Sequence, residues 1–134
     1  MKNFIVIASI ILTCAVVLAE SKVVVVTSVG VSSTAAKTNE TNLVQGELDG
    51  FYVDVASGAT NGVVITSGRE TLLSVSGITA DTMYRVRFPA VTSSGAGVAT
   101  STNNKAVLSD KLTIVSTAVS TGAADVVTSI ITRD

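Results

Sequence analysis

LDGFYVDVASGATNGVVITSGRETLLSVSGITADTMYRVRFP, residues 48–89, sets the architecture expected of the whole chain. Phe51, Val53 and Val55 alternate with Tyr52 and Asp54, and Tyr84, Val86 and Phe88 alternate with Arg85 and Arg87. A period of two is the mark of a strand with one apolar face. Turn residues punctuate the stretch at Ser57-Gly58, Asn61-Gly62, Ser67-Gly68, Ser76-Gly77 and Ala80-Asp81, so it reads as four short antiparallel strands. The sharpest local expectation is a hairpin of residues 62–67 and 70–75, joined by the two-residue turn Gly68-Arg69 with its glycine first. A further strand over residues 83–88 should stop at Pro89, the only proline, which has no N–H to give a sheet.

Outward from this stretch the same signals recur. Residues 43–55 read as one longer strand, bent near Gly46 or Gly50 where a bulge is least costly. Residues 22–31, KVVVVTSVGV, are the most β-prone run and are apolar on both faces. Such a run needs cover from a strand or a neighbouring subunit, and a charge at Val25 is expected to prevent soluble folding. Residues 32–42 are small and polar and read as a loop, with a glycosylation-type triplet at Asn39-Glu40-Thr41; a solvated loop is the simpler account. Residues 90–110 are rich in Gly, Ala, Ser and Thr and form a second expected loop, docking on a neighbour. Residues 111–116 and 125–132 are the closing strands, joined through Ser120-Thr121-Gly122. The sum is an all-β fold: a single antiparallel β-sandwich or partly closed barrel of about seven strands, preceded by a hydrophobic N-terminal leader.

That leader, residues 1–19, has Lys2 at its start, an apolar run over 4–18 and small residues at its end. It reads as a signal peptide cleaved before Glu20, with a membrane anchor as the alternative, because the run is shorter than the ~20 residues that span a bilayer. The expected organisation is therefore a leader over 1–19 and one β-sandwich domain over 20–134, a length that suits one domain.

Composition narrows the chemistry. There is no histidine, and the single cysteine, Cys14, lies in the leader, so neither a Cys/His zinc site nor an internal disulfide is available from one chain. The usual general bases and thiol nucleophiles are missing too, which removes most hydrolase designs. Ser109 with Lys111 is only formally a nucleophile and base. Asp49, Asp54, Glu70, Asp81, Asp110 and Asp125 supply carboxylates with no visible pairing, and a calcium loop over Asp49, Asp54 and Asp81 lacks the twelve-residue pattern. Ser94-Gly95-Ala96-Gly97 lacks the Lys-Ser/Thr ending of a phosphate loop. No catalytic residue, metal or cofactor is expected. A net charge of −1 with no Lys/Arg run argues against nucleic acid as partner. Charged residues are only 14% of the chain, a surface suited to packing against other subunits.

The segment Glu70-Thr71-Leu72-Leu73-Ser74-Val75-Ser76-Gly77-Ile78-Thr79-Ala80-Asp81-Thr82, followed by Tyr84-Arg85-Val86-Arg87 and preceded by DGFYVDV at 49–55, resembles small β-rich virion structural proteins of tailed bacteriophages. The likeness runs from about Leu48 to the C-terminus and leaves the first fifty or so residues uncovered. It implies a head-decoration or tail-associated building block without catalytic residues, located in the virion and acting as a homo-oligomer or with other virion subunits. The expected subunit contacts are Arg85, Arg87, Ser94, Gly95 and Gly97; solvated outer-face arginines are the simpler account of the first two. The leader departs from this picture, because phage capsid parts assemble without export. It favours the alternative of an exported periplasmic or cell-surface β-sandwich binding module, or a pilus or fibre-like subunit, with the membrane reached through residues 1–19.

Overall fold

The computed structural model of the chain describes residues 20–68, 70–86 and 106–134. They form strands β1 (Ser21–Val31), β2 (Lys37–Val55), β3 (Asn61–Ser67), β4 (Glu70–Ile78), β5 (Thr82–Tyr84), β6 (Val107–Ala118) and β7 (Ala124–Arg133), and no helix among the described residues. All pairings are antiparallel, in a single seven-stranded sheet of order β1-β7-β2-β6-β3-β4 with β5 beside β2. The sheet is all-β, as the alternation predicts, and it is not closed into a barrel: β1 and β4 stand at its two ends.

The long strand β2 turns this sheet into two layers. Its first part pairs with β6, its second with β7 on one edge and β5 on the other, and Glu47 stands opposite both Val107 and Arg133. Strands β6 and β7, consecutive in sequence, thus flank β2 instead of forming a hairpin. In a flat sheet β1 and β6 would lie three strand spacings apart, about 14 Å. Yet Ser28 Oγ of β1 is 2.9 Å from Ser116 Oγ of β6, so the sheet is folded over on itself like a sandwich. Between the layers lies a core in which, among the described residues, Phe51 is the only fully buried aromatic, beside Val31, Leu48, Val53, Val63, Ile65, Leu112, Ile114, Val126 and Ile130.

Two register shifts in β2 make the fold-over compatible with the sequence. They fall between Glu40 and Leu43 and between Leu48 and Gly50. Each extra residue swaps which alternate positions face inward: Val44 and Leu48 are buried before the second shift, and Phe51, Val53 and Val55 after it. The bend expected near Gly46 or Gly50 thus falls at the second of them, while Gly46 stays in register opposite Leu108. Gly46 has φ +118°, and a Cβ on it would sit 2.6 Å from the Arg133 carbonyl oxygen; one on Gly50 would sit 2.5 Å from that of Tyr84.

The β3–β4 hairpin is as expected, with Ser67 opposite Glu70 and Gly68 at φ +56°. Elsewhere local reading fell short. Residues 32–42 are not one loop: a tight turn closes with the Ser32–Ala35 bridge, and β2 begins at Lys37. The polar residues there are strand positions because they have partners, Asn39 Nδ2 donating to Ser28 Oγ at 2.9 Å and Thr41 Oγ1 accepting from Leu112 N at 2.9 Å. Asn61-Gly62 is not a turn but the start of β3; Asn61 is buried with Nδ2 donating to Thr117 O, and Gly62 leaves room for Thr117. Gly77, at φ +72°, lies within β4 where its register slips against β3. The strand expected over 83–88 ends at Tyr84, while β6 starts at Val107, inside the expected second loop. The leader and the rest of that loop lie outside the described residues. Among the described residues strand β1 is paired along one edge only, and Val25, 58% exposed, points away from the core, which corrects the expectation that a charge there would block folding.

Candidate functional site

The inward parity of each strand leaves an outer face on the β1-β7-β2-β5 layer. Val126, Thr128 and Ile130 of β7 and Phe51 and Val53 of β2 point into the core, so their sequence neighbours point out. Across the sheet these fall into rows: Val23, Ile131 and Gly50; Val25, Ser129, Tyr52 and Met83; Thr27, Val127 and Asp54. Val23 and Val25 are 57% and 58% exposed, Val29 beyond them 66%, and Tyr52 38%. The face is apolar from β1 to β5 and carries charge only towards its ends.

The two ends differ. At the end where β2 finishes and β7 begins stand Asp54, Asp81 and Asp125. Asp81 Oδ1 accepts from Val55 N at 3.0 Å, and Asp125 Oδ1 accepts from Gly30 N at 3.0 Å. The first bond holds Asp81 against Asp54, whose carboxyl is pushed above its ordinary value by the neighbouring Asp81 charge, then by a hydrogen bond between the two, then by burial. The Tyr52 hydroxyl is likewise pushed up, by burial first and then by the charges of Asp81 and Asp54. At the opposite end lie Lys22, Arg85 and Arg133, interspersed with Glu47, Asp49 and Asp134. Lys22 Nζ meets Asp134 at 2.6 Å and Arg133 meets Asp49 at 3.6 Å. Arg85, one residue past β5, is exposed.

Of the expected contact residues, Arg85 alone is placed, at the edge of this face; Arg87, Ser94, Gly95 and Gly97 lie outside the described residues, as does Arg69. Of the carboxylates weighed for chemistry, Asp54 and Asp81 come together, and Asp49 and Asp110 stand apart from them. Asp49 and Asp54 are five residues apart along β2, about 17 Å, so Asp49 does not join Asp54 and Asp81. Asp110 accepts from Ser67 Oγ and Lys111 N and ties β6 to the β3–β4 turn. Ser109 and Lys111 stand exposed opposite Gln45 and Leu43. Among the described residues no three potential metal ligands come together. The outer apolar row was missed as a unit, although a signal existed: in VVVV of β1 and in VV and II of β7 both parities are apolar, whereas a sheet with one solvated face alternates.

No family model, no curated protein and no solved structure matches the chain.

Proposed function

We propose that the chain is a non-enzymatic structural subunit, a minor component of a phage head or tail, that works by packing against copies of itself or other virion subunits. The observation that carries this reading is the way the sheet ends. Among the described residues β1 has a partner only along β7, and from Val23 to Val31 it has no charge and no proline. Sheet edges in free monomers are ordinarily guarded by lysines, prolines or bulges; here the register shift comes only after Ser28. An edge of this kind suits a chain that is covered by a neighbour. The low charge of the chain and the resemblance of residues 48 onward to small virion proteins support the same reading.

The apolar run at 4–18 favours a second reading, an exported surface or periplasmic module. Peptide mapping by mass spectrometry of the native source, separated into sedimenting particles, membranes and soluble exported protein, decides between them. Co-sedimentation with virions at fixed stoichiometry is the expected result. Recovery outside the cell with Glu20 as first residue, and none in particles, would replace it with the exported module.

A further inference from the structure

We infer that Asn61 is a chemical modification site guarded by the fold: its side-chain amide is lost only when β3 leaves the sheet, and a chain so changed cannot return to it. Asn61-Gly62 is the only place in the chain where an asparagine precedes a glycine. That dipeptide is the one most prone to deamidate, because a following residue without a side chain leaves its backbone nitrogen open to approach. The step closes a ring. Gly62 N bonds to Asn61 Cγ, the Cγ–Nδ2 bond breaks, and the side-chain nitrogen leaves as ammonia, taking with it the proton that Gly62 N gives up. Water then opens the succinimide at either carbonyl, and position 61 becomes aspartate or isoaspartate.

In the sheet both partners of that bond are held. Strand β3 lies between β4 and β6, with Asn61 opposite Ile78 and Ala118 and Gly62 opposite Thr117. Asn61 is 1% exposed, its Nδ2 donates to Thr117 O at 3.2 Å, and the Thr117 hydroxyl donates to Gly62 O at 3.4 Å. The side chain cannot swing onto Gly62 N without breaking its bond to Thr117 and opening the packing around it. Burial also keeps out the water that the second step needs.

The product is barred for a different reason. Asn61 Oδ1 already has no hydrogen-bond partner among the described residues. Exchanging Nδ2 for a second oxygen removes the side chain's donor and sets a carboxylate against Thr117 O, itself an acceptor. A buried charge with neither donor nor cation is among the most costly groups a fold can hold. Isoaspartate adds a methylene to the backbone instead, which would carry the buried Val63 and Ile65 out of register with β6. A chain that stays folded therefore keeps its amide, and one that stays open is removed from the folded pool for good, whatever the folded chain packs against.

The test is incubation of the full chain at mildly alkaline pH, folded in buffer and unfolded in guanidinium, with peptide mapping by mass spectrometry around Asn61. Ring closure is slow beside the opening and closing of the sheet, so its rate follows the open fraction; the folded chain should deamidate at least about 100-fold more slowly than the unfolded one. When the unfolded sample is returned to buffer, chains modified at Asn61 should be depleted at least about tenfold from the soluble folded fraction relative to their share before refolding. Asn61→Asp should be excluded from that fraction in the same way. A folded chain that deamidates as fast as the unfolded one overturns the guarding role of the sheet. Modified chains that refold in their original share, or a stably folded Asn61→Asp, overturn the exclusion of the product.

Discussion

Replacing Phe51 by alanine should lower the unfolding free energy by about 4 kcal/mol, whereas the same change at Tyr52, one residue on, should cost about 1 kcal/mol or less. Phe51 is fully buried, between Ile130 of β7 and Tyr84 of β5. An aromatic side chain removes 150–250 Å² from water, worth ~4–6 kcal/mol at ~25 cal/mol per Å². Alanine keeps a part of that, and the void it leaves adds back a part, so the value settles near ~4 kcal/mol. Tyr52 lies on the outer face and is 38% exposed, so its truncation leaves no cavity in the core. Urea unfolding followed by far-ultraviolet circular dichroism suits the comparison, since Tyr52→Ala removes one of only two tyrosines and would distort a fluorescence signal. The midpoint of Phe51→Ala should fall with the slope unchanged, and its thermal midpoint should drop by roughly 15 °C. The contrast tests the register shift between Leu48 and Gly50. Without that shift the inward parity set by Val44 and Leu48 would continue to Tyr52. Equal losses, or a larger loss at Tyr52, would refute the placement of the bulge and with it the fold-over of the sheet.

Three other outcomes are expected. Val26→Asp, which drives a carboxylate towards the core on the inner side of β1, should cost about 3 kcal/mol or more while Val25→Asp stays within about 1 kcal/mol of wild type; the reverse order in chemical denaturation would invert the assignment of the strand's faces. Gly50→Ala forces a Cβ to within 2.5 Å of the Tyr84 carbonyl oxygen and 2.7 Å of Met83 Cε, so β5 must move off β2. Hydrogen exchange should show Thr82 to Tyr84 losing protection, and unaltered exchange would contradict the close approach. Asp54→Asn should raise the thermal midpoint at neutral pH and flatten its dependence on pH in the acid range. The folded-state pKa of Asp54 is raised by Asp81, so the folded state binds the proton more tightly than the unfolded one. Stability linked to this group is fully present below the unfolded value and is lost as pH rises through the folded value. A variant with the same pH profile as wild type would show that the two carboxylates do not interact.

Much of the fold was legible locally because the information was local. Phe51, Val53 and Val55 declared a strand by alternation, and Gly68 between two β-prone runs declared a hairpin. What misled were residues whose role depends on a partner far along the chain. Asn39 and Thr41 read as loop residues because they are polar, but their partners Ser28 and Leu112 come from other strands. Asn61-Gly62 read as a turn because that dipeptide often is one, but here it starts β3, with Asn61 bonded to Thr117 O and Gly62 small enough to pass Thr117. Of the candidate contact residues only Arg85 fell on described structure, and the apolar face beside it came from strands distant in sequence.

By itself, then, the sequence determined that this chain makes strands, roughly where they run, and that its core is aliphatic with little charge and no histidine around it, since alternation, turn chemistry and composition act over a few residues. The tertiary structure alone decided that β6 and β7 flank β2, that β2 bends through two bulges so the sheet folds onto itself, and that Val25 faces outward while Val26 faces the core. Those outcomes depend on pairing registers between distant strands, and in a run such as VVVV, where both parities are equally apolar, no local preference says which side the core will be on.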